Sequence, residues 1–137
     1  MNFDINVAAG LAAGVAAMVP GSVIYAPGVL GKRWMKEIGT TPEKQKAAGA
    51  DSPGVAIAKM LVTSLVNGLV ASFIVWSAGA STFAEAFLLS MAIGWFLVSA
   101  SLNLVFFENR SQAWFGITVL NHVATFAVIG IVLGLFI

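Results

Sequence analysis

The stretch Ser111-Gln-Ala-Trp-Phe-Gly-Ile-Thr-Val-Leu-Asn-His-Val-Ala-Thr-Phe-Ala-Val-Ile-Gly-Ile-Val-Leu-Gly-Leu-Phe-Ile137 contains no Asp, Glu, Lys or Arg. A bilayer core roughly 30 Å thick needs about 20 apolar residues in a helix that rises about 1.5 Å per residue. The stretch is therefore long enough to cross once and too short to cross twice. In lipid every backbone N–H and C=O must be paired, which leaves a helix or a closed barrel. Near-continuous apolar character without strict alternation excludes the barrel. The same reading extends to three earlier uncharged runs, between Asp4 and Lys32, between Lys59 and Glu85, and between Glu85 and Glu108.

Composition points the same way. Of 137 residues 59% are hydrophobic and 9% charged, whereas a soluble domain carries about 25% charged residues. Seven Lys or Arg and six Asp or Glu are too few to cover a surface facing water. The net charge of +1, with its basic residues gathered in one stretch, gives no nucleic-acid signal. The absence of Cys removes disulfides and thiolate chemistry. The opening Met1-Asn2-Phe3-Asp4 lacks the Lys or Arg that begins a secretory signal, so the first span is expected to be a retained helix.

The expected fold is all-α: four transmembrane helices in a compact antiparallel bundle forming one domain over 1–137. Span ends follow from local punctuation. Ser52-Pro53 opens the second span, because proline at a first helical position gives up an N–H that would be unpaired anyway. Ser81 or Thr82 caps the third, with Glu85 at its positive end. The spans are drawn at 5–26, 54–78, 82–106 and 113–136. A kink is expected at Pro20-Gly21.

Orientation follows from the basic residues, which stay on the cytoplasmic side. Lys32, Arg33, Lys36, Lys44, Lys46 and Lys59 belong to the first loop and its flank, and Arg110 to the third loop. Both termini are therefore expected outside the cytoplasm, in a bacterial inner membrane. The loop at 28–52 begins with Lys32, Arg33, Trp34 and Lys36, a pattern suited to the membrane surface.

Small residues four apart let helix backbones approach in lipid, where little hydrophobic force acts between helices. Gly10 and Gly14, then Ser64, Gly68 and Ser72, then Ser90 and Gly94, and finally Gly130 and Gly134 form such stripes. They predict close packing within the chain, with another copy, or with other membrane subunits.

Polar side chains at membrane depth are costly and are the natural functional candidates. Tyr25, Asn103, Glu108, Asn121 and His122 are expected to gather in the cytoplasmic half, while Asn67 falls deeper. His122 admits two readings: an imidazole bonded to Asn103 or a backbone carbonyl that holds two helices in register, or a group that handles a proton or ligand. One His with amides and a distant Glu is too thin a set for a metal. No positioned base and orienting partner accompany the serines, so no catalytic residue, enzyme activity or cofactor is expected.

The residues Tyr25-Ala-Pro-Gly-Val-Leu-Gly-Lys-Arg-Trp34, Ser101-Leu-Asn-Leu-Val-Phe-Phe-Glu108 and Asn121-His122 also carry a resemblance. They are similar to the signatures of a bacterial family known as domain of unknown function 1761, small proteins with four predicted spans. Leu30 stands where that family usually has Phe, and Leu104 where a second Asn is common. The resemblance implies a membrane protein and no particular activity. Two functional expectations follow: a non-catalytic module that acts by assembly with itself or other membrane subunits, or a small-solute or ion pathway with a polar vestibule facing the cytoplasm.

Overall fold

The structure, a computed structural model, describes residues 4–137; the opening Met1-Asn2-Phe3 lies outside the described residues. It is all-helical. Helices α1 (Val7–Ala16) and α2 (Met18–Ile24) together form the first apolar segment. A wide turn at Pro27–Gly31 leads to two short helices, α3 (Lys32–Glu37) and α4 (Pro42–Ala47). Three long helices follow: α5 (Pro53–Ser77), α6 (Phe83–Glu108) and α7 (Gln112–Leu135). The α1/α2 pair, α5, α6 and α7 are each long and apolar enough to cross a membrane. Large apolar side chains such as Trp95, Phe96 and Phe107 point outward, as lipid requires and water does not favour.

Helices α1, α4, α5, α6 and α7 each begin where a side chain satisfies a first-turn amide. Asn6 accepts from the N–H of Ala9 at 3.0 Å, Thr41 from Lys44 at 3.2 Å, and Ser52 from Val55 at 3.4 Å. At α6 the capping is reciprocal: Glu85 accepts from the N–H of Thr82 at 3.1 Å while Thr82 accepts from that of Glu85 at 3.3 Å. Ser111 opens α7 by accepting from Trp114 at 3.0 Å. The helix ends lie one or two residues from the expected span ends.

The first segment breaks at Ala17, about one turn before the Pro20-Gly21 pair where the kink was expected. The reason is geometric. Pro20 has no N–H for the carbonyl of Ala16 four residues earlier, and its ring crowds that carbonyl, so the disturbance appears upstream of the proline. Past α2, the Pro27–Gly31 turn closes with the N–H of Gly31 donating to Ala26 at 3.1 Å. A Cβ at Gly31 would stand 2.9 Å from the carbonyl carbon of Tyr25, so only glycine fits.

Two tight helix pairs make the bundle. Against α5, α1 lies so close that a Cβ on Gly68 would overlap the carbonyl of Gly10 and stand 2.5 Å from the amide of Gly14. Ser72 strengthens this contact by donating to the carbonyl of Asn6 at 2.7 Å. On the other side α6 packs along α7: Phe126 fills the space over Gly94, Phe87 and Ser90 lie over Gly130, and Phe83 lies over Gly134. The predicted small-residue stripes thus meet partners within this chain. Between the pairs, α1 packs on α7, and Ala13, Ala71, Val75, Ile129 and Leu133 form a buried apolar cluster.

This packing predicts opposite signs for two equivalent substitutions. Gly68→Ala is expected to destabilise the chain by about 1–3 kcal/mol, because the added methyl meets a backbone that cannot move without parting α1 from α5. Gly116→Ala, where nothing lies within 4 Å, should gain up to about 1 kcal/mol of helix propensity. Equilibrium unfolding in bicelles measures both, and equal effects would refute the contact. In the same assay, Thr82→Ala is expected to cost about 1 kcal/mol through loss of the α6 cap.

Candidate functional site

Beyond Ala17, α2 packs chiefly on α7 and draws away from α5. The gap it leaves is a cleft of about 340 Å³. Met18, Gly21 and Tyr25 face it from α2 and the residue that ends it. Helix α5 contributes Lys59, Thr63, Ser64 and Asn67, and α7 contributes Asn121, His122, Thr125 and Phe126. From α6 only Leu97 reaches it. Spacing explains these sets: residues three, four or seven apart share a helical face, as Met18, Gly21 and Tyr25 do, and as Lys59, Thr63 and Asn67 do.

The side-chain carbonyl Oδ1 of Asn121 is buried and accepts no hydrogen bond. A buried acceptor left unpaired costs about 1–3 kcal/mol, and buried amides in folded proteins are nearly always paired. Gly21 lies opposite, where an added Cβ would stand 3.5 Å from that oxygen. The amide oxygen is therefore covered by α2 at Gly21, at the edge of the cleft. Around it the polar groups are neutral hydroxyls and amides together with His122; no Asp or Glu lines the cleft. The one Lys there, Lys59, is exposed and held by Asp51 at 2.6 Å. Such a surface pair contributes little to stability, but it supplies Lys59 with its counter-ion outside the cleft.

The expected polar group is only partly gathered. Tyr25, Asn121 and His122 line the cleft together, and Asn67, expected deeper, joins them. Asn103 and Glu108 do not. Asn103 lies six residues past Leu97, a rotation of about 240° around α6 from the face that meets the cleft, and is exposed. Glu108 ends α6 about 16 Å along the helix from Leu97 and pairs at 3.6 Å with Arg110. Among the described residues no group of three His, Asp or Glu is arranged to hold a metal ion. Thr63 and Thr125 were not expected in the site. The four-residue spacing of Lys59, Thr63 and Asn67 was the available signal for the first.

The basic segment sits beside this opening. Lys32, Arg33 and Lys36 are exposed on α3. Trp34 turns back, its ring edge-on to Tyr25 with centroids 5.4 Å apart at 69°. The hydroxyl of Ser111 donates to Glu37, tying the end of α3 to the start of α7. Both contacts fix the connecting segment to the helices that wall the cleft.

Comparison with curated proteins and with solved structures finds no match. A family model described as "Protein of unknown function (DUF1761)" matches residues 8–134, which takes in both α1/α2 and α7 and every residue of the cleft. The match agrees with the resemblance carried by Tyr25–Trp34, Ser101–Glu108 and Asn121-His122, and the chain belongs to the DUF1761 family.

Proposed function

We propose that this multi-pass membrane protein binds a small polar solute, without transforming it, in the cleft between α2, α5 and α7. The observation that carries the reading is the buried, unpartnered carbonyl of Asn121 at the wall of an open cleft. A residue kept only to join helices would have its partner inside the bundle. His122 lines the same cleft, whereas Asn103, its expected structural partner, is exposed on another helix face. With no carboxylate in the lining to orient the imidazole, a binding role fits better than acid–base catalysis.

The basic residues of the 28–52 segment and Arg110 support a cytoplasmic position for the cleft mouth, with both termini on the far side of a bacterial inner membrane. The four spans then run alternately up and down. Assembly belongs to the same proposal. The cleft ends against Phe126, which belongs to the packed apolar cluster, so a solute passes beyond it only through motion of α2 or through a partner, a second copy or another membrane subunit.

Because the chain has no Cys, single cysteines report directly on water access. Thr125→Cys, at the cleft, is expected to react with a membrane-impermeant maleimide in inside-out vesicles and not in right-side-out ones. Ile129→Cys, fully buried one turn further along α7, should stay unreactive from both sides. If the cysteine at 125 reacts no faster than the one at 129, the open cleft is refuted; labelling only from the outer face would reverse the orientation.

A further inference from the structure

We infer that the cleft selects a compact uncharged solute that combines a hydrogen-bond donor with apolar surface. This rests on the proposed binding role and adds the chemistry of what is bound. Three features carry it. First, one acceptor valence is open: Oδ1 of Asn121 is covered at Gly21 and has no donor, so a ligand that reaches it by displacing α2 slightly gains most by bringing an N–H or O–H. Tyr25 and the side-chain amide of Asn67 in the same lining provide donors for a ligand acceptor.

Second, the lining supplies no compensation for charge. A cation there would face no carboxylate and would share the cleft with Lys59. An anion would find Lys59, already held at 2.6 Å by Asp51, and the imidazole of His122, which has no carboxylate in the lining to favour its charged form. A lone ion between apolar helices has lost its hydration with nothing in exchange, and that penalty exceeds what neutral amides and hydroxyls return. An uncharged solute avoids it.

Third, the lining is mixed. Met18, Met60, Leu97 and Phe126 add apolar surface among the polar groups. The volume of about 340 Å³ corresponds to about ten waters at roughly 30 Å³ each. A compact amide or alcohol bearing a hydrocarbon or aromatic group fits both the size and the mixed lining.

Benzamide, benzoate and benzamidinium share one size and shape and differ in charge, which makes them suitable probes. Binding of each to the full chain in lipid nanodiscs is measured by saturation-transfer NMR, with empty nanodiscs to subtract partition into lipid. Gly21→Leu places a side chain in the cleft from a position where a Cβ meets nothing closer than 3.5 Å, so its first atom is accommodated and the remainder occupies the cleft. Benzamide is expected to bind wild type, to lose binding in Gly21→Leu, and to bind about tenfold more weakly in Asn121→Leu, the change that about 1.4 kcal/mol gives. The charged analogues should show no binding that Gly21→Leu removes. If either does, the uncharged class is wrong while the cleft stands as a binding site. If none of the three binds in a manner sensitive to Gly21→Leu, the inference fails, and the labelling at position 125 decides separately whether the cleft is open at all.

Discussion

Pro20 has no N–H, and the site depends on that covalent fact. Without a donor at position 20 the carbonyl of Ala16 loses its helical partner, and the segment turns at Ala17, whose own N–H still donates to Ala13 at 2.9 Å. Before the break, α1 is locked to α5 by the closest backbone approach in the bundle, at Gly10, Gly14 and Gly68. Beyond it, α2 keeps α7 as its main neighbour and touches α5 less. The space this opens between α2 and α5 is the cleft.

Most of the architecture was legible because lipid permits few solutions. An uncharged run of about 20 residues has to be a helix, and Ser52, Thr82 and Ser111 mark helix starts by a local hydrogen bond that depends on neighbours in sequence alone. The site was harder to read. Depth along each span follows from residue count, so Tyr25, Asn121 and His122 were expected near one level, and they share one cleft. Rotation about the helix axis follows from which neighbour each face meets, a property of the whole packing. Asn103 has a suitable depth and the wrong azimuth. Asn67 seemed too deep until the break in the first segment opened the bundle down to it. The small-residue stripes were equally ambiguous: Gly68 and Gly130 announce close approach to something, and only the folded chain shows that the partners are Gly10 and Phe87.

The molecule divides its stability unevenly along its length. One half is closed by Ala9, Ala13, Ala71, Val75, Ile129 and Leu133, all fully buried, with small residues allowing the backbones to meet. The other half has a side-chain carbonyl without a partner, a broken helix, and polar groups facing an opening. Folded chains place unsatisfied or strained groups where function needs them and stability is supplied elsewhere. The tight α1–α5 and α6–α7 contacts provide that support, and the α3 segment, held through Tyr25–Trp34 and Glu37–Ser111, keeps the mouth of the cleft from splaying further.

The lack of carboxylates in the lining follows the same logic. A carboxylate facing the cleft would attract cations and would have to be desolvated each time an uncharged ligand covered it. Neutral amides and hydroxyls lose less, because each can turn to a neighbour or to water when no ligand is present. In this chain the carboxylates are kept at helix ends and connecting segments: Glu85 at the cap of α6, Asp51 on Lys59, Glu108 on Arg110, Glu37 on Ser111. Every one of these has a local partner outside the cleft. The interior polar groups are thereby left with dipoles rather than charges to offer, and a site built of dipoles discriminates by the placement of donors and acceptors.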